Sequence, residues 1–142
     1  LIHGFPGTGK IKVIAWMRRI SLGWEHDVQF VCLAFQNAMA AQISGNTIHH
    51  WSGIPSRAKD GNTTGDRHKQ SIKCQALRVV VIDELSMVSA ELLGALAYVL
   101  TKAIRIQGTY KKRTDGSSRA FGGINIVMCV DWWCGEIGVV VA

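Results

Sequence analysis

The sequence predicts an α/β fold, a mostly parallel sheet with helices on both faces, and three observations carry that expectation. Segments rich in β-formers alternate with segments of helical period along the whole chain. Val79–Ile82 is a run of four β-branched residues, the composition of a strand covered on both sides. A glycine-rich turn over residues 4–9 joins the first strand directly to the first helix. Strand–helix repetition of this kind lays strands side by side through right-handed crossovers.

Each element has its own signal. Leu1 to His3 reads as a short strand running into the glycines. Lys10 to Leu22 carries Val13, Ile14, Met17 and Ile20 at helical spacing, a pattern that also assigns Trp16 to the core. Val28 to Phe35 is a β-rich run, and Ala38 to Ile43 is alanine-rich and short. Thr47 is placed to cap a brief turn through Trp51. Ser89 to Thr101 predicts a helix with Ser89 as its N-cap and Glu91 in the dipole-favoured first turn. Leu92, Leu93, Leu96, Val99 and Leu100 form its apolar side. Ile124 to Val130 is a last buried strand.

With 48% hydrophobic and 18% charged residues, 142 residues suffice for a single core and exclude collagen, coiled coil and wholesale disorder. Sixteen Lys and Arg against ten Asp and Glu give +6, which favours a polyanionic partner without naming one. The excess is concentrated. Arg57–Arg78 has six basic residues against Asp60 and Asp66, and Lys102–Arg119 six against Asp115. Both stretches, near 55–75 and 105–120, have the Gly, Ser, Thr and Asn content of loops, and a solvated insertion is as good a reading of the first as a nucleic-acid contact. Apolar runs fall far short of the ~20 residues that cross a bilayer. The opening residues lack a basic n-region and cleavage site and read as the middle of a longer chain. Cys32, Cys74, Cys129 and Cys134 are scattered and read as reduced thiols of an intracellular protein. A zinc site from Cys129, Cys134 and His49 or His50 would match no common ligand spacing, so core or loop cysteines are the better reading.

The chemistry is concentrated in two motifs. Gly4-Phe5-Pro6-Gly7-Thr8-Gly9-Lys10 has the form G-x-x-x-x-G-K between a strand and a helix, the context a phosphate-binding loop needs. Its glycines let backbone N–H groups turn toward phosphate, the helix start adds its dipole, and the Lys10 ammonium reaches the β and γ oxygens of a nucleotide such as ATP. The next position calls for a Ser or Thr hydroxyl to bind the nucleotide's Mg2+, and here it is Ile11, which has no oxygen to give. Val79–Ile82 followed by Asp83 and Glu84 has the form of a Walker B strand. There Asp83 serves the metal and Glu84 polarises the attacking water. Asp131, alone after its strand, reads as a surface strand end rather than a phosphate sensor. His49 and His50 divide evenly between packing and function, while Trp51 and Phe35 are candidates to stack on nucleobases.

In order, GFPGTGK, ISGNTIHHWSGI, VVVIDELSMVS and FGGINIVMCVDWW, the chain resembles the Pif (petite integration frequency) DNA helicases of superfamily one, alongside RecD. The resemblance implies a RecA-like P-loop NTPase fold, with residues 1–142 as the first, incomplete motor domain of an ATP-dependent 5′ to 3′ helicase on single-stranded DNA. Repair, recombination and telomere maintenance, in nucleus or mitochondrion, are the implied roles. Gly4, Pro6, Gly7, Thr8, Gly9, Lys10 and Ile11 would then form the nucleotide cradle, with Lys10, Asp83 and Glu84 catalytic and Asp83 the metal residue. Asn37, Thr47 and His49 would touch DNA, and Ser86 and Met87 continue the D-E-x-S-M pattern.

Three departures bear on activity. Ile11 is the first; Cys134 stands where the family has a γ-phosphate-sensing glutamine; and the chain ends before the second RecA-like domain with its arginine finger. A single-stranded-DNA-binding lobe without turnover, and a RecD-like P-loop NTPase, stand as alternatives.

Overall fold

The computed structural model describes residues 1–22, 30–55, 74, 76–103 and 112–131. In these, five parallel strands form one sheet: β1 (Ile2–Gly4), β2 (Phe30–Ala34), β3 (Asn46–Thr47), β4 (Val79–Ile82) and β5 (Asn125–Asp131), in spatial order β1-β5-β4-β2-β3. The helices are α1 (Lys10–Leu22), α2 (Asn37–Gln42), α3 (Ile48–Ser52) and α4 (Ala90–Ala103). Cys134, nearly all of the first basic stretch and residues 104–111 of the second lie outside the described residues. Among those described, no helix is long and apolar enough to cross a membrane.

Alternation along the strands explains why both faces are covered. Phe30, Cys32 and Ala34 of β2 and Val81 of β4 pack with Ile14 of α1 and with Ala40 and Ile43 on the other side of the sheet from α4. Leu33, Val80 and Ile82 turn instead toward Ile48 and Trp51 of α3 and Leu92, Leu96 and Leu100 of α4. Continuous apolar strands thus feed two cores, as the β-branched run at 79–82 requires.

The helix starts follow their capping residues. The Thr47 hydroxyl accepts from the His50 N–H at 3.2 Å, and the Ser89 hydroxyl accepts from the Leu92 N–H at 3.2 Å. Leu92, Leu96, Leu100 and Ala103 are the buried stripe of α4, with Leu93 and Val99 half-buried beside it. On α1 Ile14 and Ser21 are buried; Val13 and Ile20 are exposed, and Trp16, expected in the core, is 65% exposed. Arg18 of α1 donates to the carbonyls of Ile43 and Ser44 just after α2. The stretch RTDGSS is a tight turn: the Asp115 carboxylate accepts from the Ser117 N–H and hydroxyl, and Gly116 takes φ 83°.

β3 is too short to have a sequence signal, and its place depends on Gly45. β3 pairs with β2 through Leu33↔Asn46 and Ala34↔Thr47. A Cβ on Gly45 would stand 2.4 Å from the Cys32 carbonyl oxygen and 2.9 Å from the Cys32 Cβ. Backbone on one side and a buried side chain on the other cannot both yield. Gly45→Ala is therefore expected to destabilise the chain by about 1–3 kcal/mol, the usual range for overpacking, seen as a lower urea midpoint with an unchanged slope.

Candidate functional site

Three neighbouring strands, β1, β5 and β4, end together, and their carboxyl ends carry the site. This is the edge where open α/β sheets present loops and side chains to ligands. β1 delivers Gly4 and the glycine loop, β4 delivers Asp83 and Glu84, and β5 delivers Asp131, which is in register with Gly4.

The loop turns through Gly7 at φ 78° and Gly9 at φ 90°, left-handed conformations that other residues adopt only with strain. The Thr8 hydroxyl donates to the Phe5 carbonyl at 2.8 Å, and a Cβ on Gly4 would fall 2.8 Å from that hydroxyl. α1 starts at Lys10, so the first-turn amides at Lys10 and Ile11 have no partner within the helix and add its positive end to the loop. The Lys10 ammonium donates to the carbonyls of Phe5 (2.9 Å) and Gly4 (3.3 Å) and forms an ion pair with Asp131.

The acids face this ammonium from the other two strands. Asp83 and Asp131 are buried. Burial raises the Asp83 carboxyl above its usual range and the Asp131 charge adds to the rise, while a backbone N–H and Lys10 oppose it. Glu84 is raised for the same reasons, by burial first and then by Asp131 and Asp83. Its backbone sits at φ 52°, ψ 50°, a left-handed conformation that costs a non-glycine residue on the order of 1–2 kcal/mol. That kink swings the chain out of β4 into the 3-10 turn Leu85–Met87. Among the described residues, Glu84 Oε2 and Ser86 Oγ are buried with no hydrogen-bond partner. Strain and an unpartnered carboxylate oxygen at one residue mark a functional position rather than a structural one.

Asp131 corrects the sequence reading. It is no surface strand end: it is 9% exposed and holds Lys10. The signal for this lay in the strand order, since only adjacency of β1 and β5 brings it to the loop. Ile11 is 44% exposed at the second position of α1 and brings no donor atom.

Of the residues expected to touch DNA, Asn37 and Thr47 line one open groove of about 430 Å³ with Ala41, Gly45, Asn46 and His50. His49 is turned elsewhere, edge-on to the Phe35 ring with centroids 6.0 Å apart. Trp51, a candidate for base stacking, is 7% exposed and packs in the α4 core. Phe35, at the end of β2, is exposed. Cys32 and Cys129 are buried, and burial pushes both thiols up to about 11, which makes them inert core residues.

A glycine loop between β1 and α1, with acids closing β4 and β5 of a parallel sheet, defines a P-loop nucleotide-binding domain of the RecA-like type. Residues 1–134 match the family model described as PIF1-like helicase, and the chain belongs to that family. It is 32% identical over 139 residues to the ATP-dependent DNA helicase RRM3 of Saccharomyces cerevisiae, covering 92% of this chain and 17% of that relative. The crystal structure of Pif1 helicase from Candida albicans is similar with a TM-score of 0.68 and 27% identity, covering 92% of this chain and 28% of that one. Pif1 helicase from Bacteroides, solved in complex with ADP-AlF3 and single-stranded DNA, shares the fold at a TM-score of 0.66 and 20% identity, covering 92% and 27%. The chain thus spans about a sixth of the length of the curated relative.

Proposed function

We propose that the chain is the first motor lobe of an ATP-dependent DNA helicase, binding ATP at the glycine loop and single-stranded DNA along the groove at Asn37 and Thr47. The convergence of Lys10, Asp83, Glu84 and Asp131 at one sheet edge carries this reading. The residues fit a triphosphate: two left-handed glycines, a helix N-terminus and an ammonium belong to one loop and the helix start that follows it. For Mg2+ the Asp83 carboxylate is a hard oxygen donor, whereas Ile11 offers none. Bound there, Mg2+ would neutralise charge on the β and γ oxygens. The protein's own groups do the rest: Lys10 orients phosphate, and Glu84, with its free oxygen and raised pKa, accepts a proton from the attacking water.

Asn37, Thr47 and His50 offer an amide, a hydroxyl and an imidazole to a backbone lying in the groove, with His49 and Phe35 on its flank. Translocation needs a second RecA-like domain to close on this one and supply an arginine. DNA repair, recombination or telomere maintenance, in nucleus or mitochondrion, is the setting this reading gives the whole protein.

The test is titration of a fluorescent ATP analogue, with and without Mg2+ and single-stranded DNA, on this chain and on Ile11→Ser. Restoring the hydroxyl is expected to tighten Mg2+-dependent binding by about tenfold, as one added ligand to a hard cation would. Absence of nucleotide binding in both proteins would overturn the reading.

A further inference from the structure

We propose that Asp131 is a positioning residue that controls when Lys10 is available to phosphate: its carboxylate holds the ammonium in reserve, and a divalent cation that draws that carboxylate to the side of Asp83 releases it. The proposal rests on the nucleotide reading above and adds a residue that the motifs do not assign.

Lys10 has three N–H donors; it donates to the carbonyls of Gly4 and Phe5, and the Asp131 carboxylate is ion-paired with the same ammonium. A phosphate that reaches the ammonium competes with these three contacts. The two carbonyls belong to the loop and to the end of β1, so they are fixed by the backbone that forms the cradle. Asp131 alone contributes through a side chain that can rotate. The pair's side chains are 12% and 11% exposed, so water screens their attraction little, and a phosphate arriving without a cation competes against a desolvated ion pair.

Charge gives the second half. Asp83, Glu84 and Asp131 act electrostatically on one another, and among the described residues Lys10 is the cation that opposes them. An entering phosphate meets net negative charge there, and a divalent cation reverses this balance. In this chain the cation has no hydroxyl to bind at Ile11, so a carboxylate drawn from the Lys10 pair takes that place. Metal and phosphate then bind cooperatively: the metal takes Asp131, and the phosphate takes the freed lysine.

Asp131→Asn separates these roles, with affinity for a fluorescent ADP analogue measured in EDTA and in Mg2+. Without metal the variant is expected to bind about fivefold or more tighter than the unaltered chain, and to lose most of the tightening that Mg2+ brings, a coupling of ordinary size. A side chain that merely supports the fold would weaken both affinities together. Circular dichroism reports whether the variant folds, and Asp131→Ser makes the same comparison if it does not. Equal or weaker metal-free binding by a folded variant, or an undiminished gain from Mg2+, overturns the proposal while leaving nucleotide binding intact. No binding by the unaltered chain in either buffer overturns the nucleotide reading and this proposal with it.

Discussion

Glu84→Gln is expected to slow ATP hydrolysis by this chain roughly 10²- to 10⁴-fold, the usual contribution of a general base, while making the protein more stable. Both effects have one origin. The carboxylate is raised in pKa by burial and by Asp131 and Asp83, and one of its oxygens has no partner among the described residues. Gln keeps the shape and removes the charge. For an acid whose folded pKa lies above its unfolded value, the native state binds more protons between the two values. Stability therefore falls as pH rises through that window, and the cost is fully present above it. Asp83 is displaced in the same direction. The unaltered chain is expected to gain melting temperature on acidification from pH 8 toward the upper carboxylate range, and Glu84→Gln to be more stable at pH 8 and less responsive to pH. Single-turnover hydrolysis together with melts at two pH values checks this. Retained hydrolysis would remove Glu84 as the base, and a lower melting point at pH 8 would mean its charge is well held in the fold.

Leu96→Ala should have the largest purely structural effect. Leu96 is fully buried between α4 and the sheet, in a cluster with Trp51, Val80, Ile82, Leu92 and Leu100. Removing its three carbons leaves a cavity lined by side chains on three elements, none free to collapse far, at a cost of about 3 kcal/mol. For a chain this size that lowers the melting temperature by on the order of 10 °C. Trp16→Ala, although it deletes a larger side chain, is expected to stay within about 0.5 kcal/mol because Trp16 stands in solvent. A comparable loss from both substitutions would show that the face of α1 bearing Trp16 is covered.

These contrasts show where sequence reading succeeds. α1 and β4 were legible to the residue, and α4 to within two, because composition, capping and period all act locally: Lys10 follows its glycine, Ser89 caps, and four β-branched residues can only be a strand. The glycine loop and the Asp83-Glu84 pair were legible because their chemistry requires contiguous residues. What failed depended on neighbours distant in sequence. Trp16 and Trp51 exchange their expected places, since helical spacing says that a face exists but not which face meets the sheet. Asp131 acquires its partner through the β1–β5 rung, more than 120 residues apart in sequence. β3 exists only because Gly45 lets it approach β2.

Lys10 and Arg18 lie on the same helix, eight residues or about 12 Å apart. One grips the glycine loop and the other grips the carbonyls that end α2, next to the groove of Asn37 and Thr47. α1 is therefore a lever with a handle at each end: a tilt that follows Lys10 as it changes partners displaces Ser44 without passing through a loop. The two sites are one mechanical part, and a substitution that releases the Arg18 grip would let each move without the other.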